Sequence, residues 1–405
     1  MKRAALIVLV LVAVGVVSLH FSSFVQSTKA WRQQPAAREI LQVAASIGRH
    51  VLPKGSNAMP TTMHIPHEIR RLPVKGYVNA VAWNVDGTRL AALSNFGSAV
   101  TVWETKTWAV LKEYLRYNGA SYAFNSLAFL PDGALLTSSP IGDFSANTPV
   151  TAAQVQTLET FSLIQWNPET GKPVRYFPDL GHSSKDLSNK VTSTFAVSAD
   201  GSMVAGIHGD VLIYDVKTGT LLRRIAVPPL PKHGDTAASV AFSPNGQELA
   251  VGTGFGWVRF FTVRTGALIR SIDAYPEEYS CSALAYSPDG QRIAVGKTKG
   301  INVSDPNDIS TTVWRVHTGT LVTSLTGSTW KFRGMQEATP VRTLAWSPAG
   351  NVIAVGDDGS LRLWRVDHAT PTLLLDVEKP GTFSVSYSPQ GVLAVARKNE
   401  VLIYQ

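Results

Sequence analysis

Thr343 to Val366 reads TLAWSPAGNVIAVGDDGSLRLWRV, and three short strands separated by two tight turns can be read in it. Leu344-Ala345-Trp346 alternates large and small residues and stops at Pro348-Ala349-Gly350, where proline and glycine supply the backbone conformations of a reversal. Ile353-Ala354-Val355-Gly356 follows as a second strand with so little side-chain bulk that it fits only a tightly packed position. A glycine-containing loop then leads to a third strand ending on Trp364.

The same unit recurs along the chain. Its turn glycines are Gly87, Gly133, Gly201, Gly246, Gly290, Gly350 and Gly391, and four of the six intervals between them fall between 41 and 46 residues. The other two, 68 and 60 residues, read as ordinary units carrying insertions at 138–160 and 299–311. Third strands end on Trp103, Trp166, Tyr214, Phe261, Trp314, Trp364 and Tyr404, and Thr-Gly turns such as Thr218-Gly219 lead into fourth strands such as Leu221 to Ile225. Four strands per ~40–45 residues is the signature of a β-propeller blade, not of a helical solenoid.

Thr343–Val366 and Ser239–Val263 resemble WD repeats, and the resemblance extends with decreasing fidelity over 68–405. It implies an all-β, seven-bladed propeller of four-stranded blades. The last unit stops at Tyr404-Gln405, directly after its third strand, so an upstream segment must supply the fourth. Glu68 to Val74 resembles the other fourth strands and is expected to close the seventh blade, which removes an open sheet edge. In many WD repeats a Gly-His, a Ser or Thr, an Asp and the Trp form a hydrogen-bonded network. Asp358 and Trp364 match two of these and Gly181-His182 a third, but no single unit has the full set and the Trp-Asp dipeptide never occurs. Stability is therefore expected to rest on strand packing.

Residues 1–26 hold Lys2-Arg3 and an apolar run from Ala4 to Leu19, read as a signal peptide or an N-terminal membrane anchor. Residues 27–67 read as a basic stalk, with a helix at about 35–52 between Pro35 and Pro53 and a linker after it. The first 76 residues carry ten Lys and Arg against two acids, whereas the remaining 329 hold 27 of each sign. The basic excess belongs to the extension. A neutral ring lacks the basic footprint of a nucleic-acid platform, so no nucleic-acid partner is expected. The expected location is membrane-anchored or secreted, with the ring periplasmic or extracellular.

Patterns for chemistry are sparse. The chain has one cysteine, Cys281, and nine scattered histidines, which excludes an internal disulfide and a cysteine-ligated cluster. No Gly-x-Ser-x-Gly elbow is present, and Gly252-Thr253-Gly254-Phe255-Gly256 lacks the Lys and following helix of a phosphate loop. Asp305-Pro306-Asn307-Asp308 is rich in oxygen ligands but lacks the alternation of a calcium loop. No catalytic residue, metal site or cofactor is assigned.

What remains is surface. The resemblance implies partner binding on the face made by interblade loops and by hairpins between second and third strands. The aromatic and charged candidates there are Phe96, Tyr122, Phe255, Trp257, Tyr279, Trp330, Phe332 and Arg333. The reading is a non-catalytic scaffold that binds a protein or peptide on this loop face and reaches a membrane through its N-terminus. A propeller enzyme of lactonase, quinoprotein or lyase kind would need acids, histidines or a metal converging at the channel mouth, where Asn95, Asp210, Lys297, Asp358 and Lys398 fall. A carbohydrate-binding module is a third reading, because Trp and Tyr also stack on sugars.

Overall fold

Strands form where short alternating or wholly apolar runs are bounded by Gly, Pro, Asp or Asn turns, and there are thirty among the described residues. The computed structural model describes residues 65–94, 99–115, 126–138, 161–178, 194–229, 235–275, 279–299, 309–327, 329–332, 335–358, 360–368, 370–378 and 382–405. The expected signal or anchor at 1–26 and the stalk with its helix, apart from 65–67, lie outside these residues. Among the described residues no helix is long and apolar enough to cross a membrane.

In chain order β1 (Glu68–Pro73) precedes blade 1, which comprises β2 (Val78–Trp83), β3 (Arg89–Ser94), β4 (Ala99–Glu104) and β5 (Val110–Leu115). Blade 2 comprises β6 (Leu127–Phe129), β7 (Leu135–Ser138), β8 (Phe161–Trp166) and β9 (Pro173–Pro178). Blade 3 follows with β10 (Phe195–Val197), β11 (Met203–His208), β12 (Asp210–Asp215) and β13 (Leu221–Ile225). Blade 4 is built from β14 (Ala237–Phe242), β15 (Glu248–Thr253), β16 (Trp257–Thr262) and β17 (Leu268–Asp273). Blade 5 has β18 (Tyr279–Tyr286), β19 (Arg292–Lys299), β20 (Ile309–Arg315) and β21 (Leu321–Thr326), and is followed by a separate hairpin of β22 (Thr329–Phe332) and β23 (Met335–Ala338). Blade 6 holds β24 (Val341–Trp346), β25 (Val352–Asp357), β26 (Ser360–Arg365) and β27 (Thr372–Glu378). Blade 7 has β28 (Thr382–Tyr387), β29 (Leu393–Arg397) and β30 (Glu400–Tyr404), with β1 as its outer strand.

Each blade is an antiparallel meander whose first strand faces the first strands of neighbouring blades, so first strands line the centre and fourth strands the rim. The ring closes twice. β1 pairs antiparallel with β30, Leu72 opposite Val401, and His67 and Gln405 exchange backbone hydrogen bonds of 3.0 and 3.1 Å. β2 then lies against β28, where Trp83 Nε1–H donates to the Ser386 carbonyl at 3.0 Å. The expected closure by Glu68–Val74 is therefore present, with β1 ending at Pro73 and the Val74 N–H bonded to the Asn399 carbonyl at 2.8 Å.

The core is divided rather than central. Seven apolar clusters occupy the clefts between successive blades, from Val78, Val81 and Trp103 against Leu72 and Ile403 to Leu361 and Leu363 against Val395 and Leu402. Both faces of a blade are thus buried, and its second and third strands read as continuous apolar runs rather than alternating ones. The small-residue strands answer to close approach between blades. A Cβ at Gly296 of β19 would stand 2.5 Å from Val341 Cγ1 of blade 6.

An antiparallel meander puts its first and third connections at one end and its second, with the crossing to the next blade, at the other. At the first end, the turn end, the first connections are all five residues long, at 84–88, 130–134, 198–202, 243–247, 287–291, 347–351 and 388–392. Each places a glycine at positive φ, as at Gly87 (73°) and Gly391 (83°). The longer connections, 116–126, 139–160, 179–194, 226–236, 300–308 and 327–340, all attach at the second end, the loop end.

Candidate loop-end interface

The described loop end is richest around blades 4 and 5. β15 and β16 are joined by Gly254-Phe255-Gly256, a turn in which Phe255 N–H and Trp257 N–H both point to Thr253 Oγ1, at 3.4 and 3.3 Å. Phe255 and Trp257 are half-buried. Alternation along β16 sends Val258 and Phe260 into the cleft with blade 5, and Phe261 into the cleft with blade 3. Trp257 and Arg259 therefore belong to the blade 3 side. There the Arg259 guanidinium, 6% exposed, lies 3.2 Å from the fully buried Asp235 carboxylate and also donates to the Pro228 carbonyl. This buried pair fixes the crossing from blade 3 to blade 4, and loss of one partner would strand a charge.

On the other side of blade 4, Tyr275, Tyr279 and Lys297 meet. The Lys297 ammonium stands 4.5 Å from the Tyr279 ring centroid and 5.7 Å from that of Tyr275. Tyr275 O–H donates to the Val295 carbonyl at 2.6 Å and accepts from Thr312 Oγ1 at 3.1 Å, while Trp314 Nε1–H donates to Thr312 Oγ1 at 2.8 Å. Burial pushes the Tyr275 phenol well above the usual tyrosine range, so it stays a neutral donor. This Trp–Thr–Tyr chain ties the third strand of blade 5 to the segment that enters it. Trp166 Nε1–H makes a shorter version with Thr137 Oγ1, at 2.9 Å.

Asp358 and Trp364, which match two members of the WD-repeat network, are not joined to each other. Asp358 pairs with Arg342, at 2.7 and 2.9 Å, and Trp364 Nε1 is buried with no hydrogen-bond partner among the described residues. The neighbouring Asp357 caps the hairpin by accepting from Ser360 N–H at 2.6 Å. His182 lies outside the described residues.

The eight sequence candidates are distributed unevenly. Phe255 lies in the turn between β15 and β16, and Trp257 is the first residue of β16. Tyr279 is not in a loop but begins β18, and at 8% exposure its ring serves the Lys297 contact. Trp330 and Phe332 belong to β22 rather than to an irregular loop, in backbone register with Glu337 and Met335 of β23. Phe96, Tyr122 and Arg333 lie outside the described residues.

Of the channel-mouth positions, Asp210 pairs with Arg224 at 2.6 Å and Asp358 with Arg342, so each acid is committed to an arginine; Asn95 lies outside the described residues. Among the described residues no three His, Cys, Asp or Glu side chains gather as a metal site would need. The insertion acids Asp305 and Asp308 lie outside them. The Arg259–Asp235 pair was not foreseen from the sequence. Its only signal was an arginine inside the otherwise apolar run Val258-Arg259-Phe260-Phe261.

The WD domain, G-beta repeat family (WD40) matches residues 319–365, from the outer strand of blade 5 through the third strand of blade 6. A curated relative, WD repeat-containing protein SL1-17 of Schistosoma mansoni, is 29% identical over 194 residues, covering 47% of this chain and 52% of that protein. The chain thus matches about half the length of that relative. A chain in the crystal structure of the mitotic checkpoint complex has the same fold, with a TM-score of 0.62 at 16% identity over 88% of this chain and 97% of that one. The seven four-stranded blades make this chain a seven-bladed β-propeller, one stretch of which, 319–365, matches the WD domain, G-beta repeat.

Proposed function

We propose that this chain is a non-catalytic scaffold that binds a protein or peptide partner on the loop end of its ring and is held at, or exported across, a membrane by residues 1–26. The observation that carries the reading is the asymmetry of the ring. Connections of uneven length, and the hairpin β22–β23, attach at one end, while the other is closed by short hydrogen-bonded turns. Binding residues concentrate on variable loops held by a rigid scaffold. WD40 propellers typically mediate protein–protein interaction, and the fold-level likeness to a chain of the mitotic checkpoint complex accords with a protein partner. The described acids at the channel mouth are held by arginines and do not converge as a catalytic pair would.

The hairpin gives the direct test. Replacing 329–338 by a short Gly-Ser linker removes Trp330 and Phe332 without touching a blade strand. The expected outcome is an unchanged melting temperature with at least a tenfold loss of partner recovered by co-purification from source membranes. Full recovery of the partner, with the ring equally stable, would remove the hairpin from the interface. Retention on cell-wall polysaccharide that is lost with the hairpin would favour sugar over protein.

A further inference from the structure

The outer strand of every blade starts at the turn end, and in all seven its first or second residue is a solvent-exposed aliphatic. These are Ile69, Val110, Val174, Leu222, Leu268, Leu321 and Leu373, between 38% and 57% exposed. Single exposed aliphatics are ordinary on a protein surface. Here, however, they share one strand type and one end, and so form a belt around one rim. The turns that lead into six of these strands each carry an exposed cation or histidine: Lys106, Lys172, Lys217, Arg264, His317 and His368. Acids occur at both radii of this end: Asp86, Asp132, Asp200 and Asp289 sit in the turns after the innermost strands, each bonded to groups of its own turn, while Glu169 and Asp367 sit in the outer turns and pair with Arg89 and Arg365, each at 2.9 Å. The outer rim is therefore aliphatic, and its turns carry Lys106, Lys172, Lys217 and Arg264 against two acids that are each paired with an arginine.

The chain also enters the ring here. Ile65 is 57% exposed and, through the His67–Gln405 pairing, stands at the turn end. The 64 residues before it contain the apolar run Ala4 to Leu19 and an excess of Lys and Arg.

We infer that this aliphatic and basic rim is a lipid-contacting surface, resting at the turn end against an anionic bilayer with the loop end directed away from it. The inference rests on the membrane placement proposed above and adds an orientation to it. Aliphatics at the headgroup boundary with cations beside them form the surface an anionic interface attracts.

Single-cysteine reporters test it in the full chain. Cys281 is the sole cysteine, and burial pushes its thiol up to about 12, so a thiol-reactive fluorophore goes to an introduced site. Leu222→Cys and Leu321→Cys report the rim; Asn399→Cys reports the loop end. Vesicles of phosphatidylglycerol and phosphatidylcholine carry a quencher on the lipid chains, and co-sedimentation measures binding independently. The expected result is co-sedimentation with at least twofold stronger quenching at both rim sites than at Asn399→Cys. Co-sedimentation with equal quenching at the two ends, or none at the rim, overturns the orientation and leaves the membrane placement standing. A chain that stays in the supernatant overturns both.

Discussion

At Gly252 of β15 an added Cβ would stand 2.4 Å from Ser239 Oγ and 2.8 Å from both the Cβ and the carbonyl oxygen of Cys281. Two of these three atoms cannot rotate away, because they belong to the first strand of the next blade. Ser239 Oγ–H already donates to that same Cys281 carbonyl at 2.6 Å, so the contact is polar as well as tight. Gly252→Ala is expected to destabilise the ring by about 1–3 kcal/mol through overpacking. The measurement is the chemical-denaturation midpoint, which should fall at unchanged m-value; an unmoved midpoint would mean that blades 4 and 5 slide apart without cost. Runs such as Ile293-Ala294-Val295-Gly296 made this packing legible in the sequence, since residues with so little bulk fit only close strands. The polar partners were not legible. Nothing in the spacing distinguishes a loop side chain such as Tyr275, whose phenol reaches Thr312, from another that does not. Trp108 was also missed. It takes φ 60° where the third turns of blades 2 to 5 have Gly171, Gly219, Gly266 and Gly319, with its N–H bonded to the Glu104 carbonyl at 2.7 Å and its ring edge-on to Trp83.

Among the elements, β1 determines whether the chain is a closed ring or an open arc. Leu72 is buried against Val401 and Ile403 of β30 and against Val78 of blade 1, so one side chain joins the last blade to the first. Leu72→Ala is expected to cost about 2–5 kcal/mol, as for other buried leucines. Deletion of 65–74 should do more. It leaves β30 as an unpaired apolar edge, and size-exclusion chromatography should then show self-association; a monomer with an unchanged melting temperature would exclude β1 from the closure. This strand was legible because Glu68-Ile69-Arg70-Arg71-Leu72 repeats the pattern of Leu221-Leu222-Arg223-Arg224-Ile225. The hairpin β22–β23 was not. A reading based on a repeat treats everything between repeats as connection; Thr329 to Phe332 alternates polar and apolar residues as a strand does, but its partner Met335 to Ala338 does not.

For the whole molecule, the framework and the working surface obey different rules. Burial on both faces of every blade forces the repeat, which is why fold class, blade number and ring closure could be read from residues alone. The loop end is under no such constraint, so the same repeat is silent about what binds there. The central claim is that the loop end, not the turn end, engages a protein. A photo-crosslinking amino acid placed in the full chain at Trp257 or Trp330, and separately at Lys217 or Thr107, tests it in source membranes. The account predicts a defined protein adduct from the two loop-end positions and none from the two turn-end positions. Protein adducts from the turn end alone, or from neither end, would contradict it.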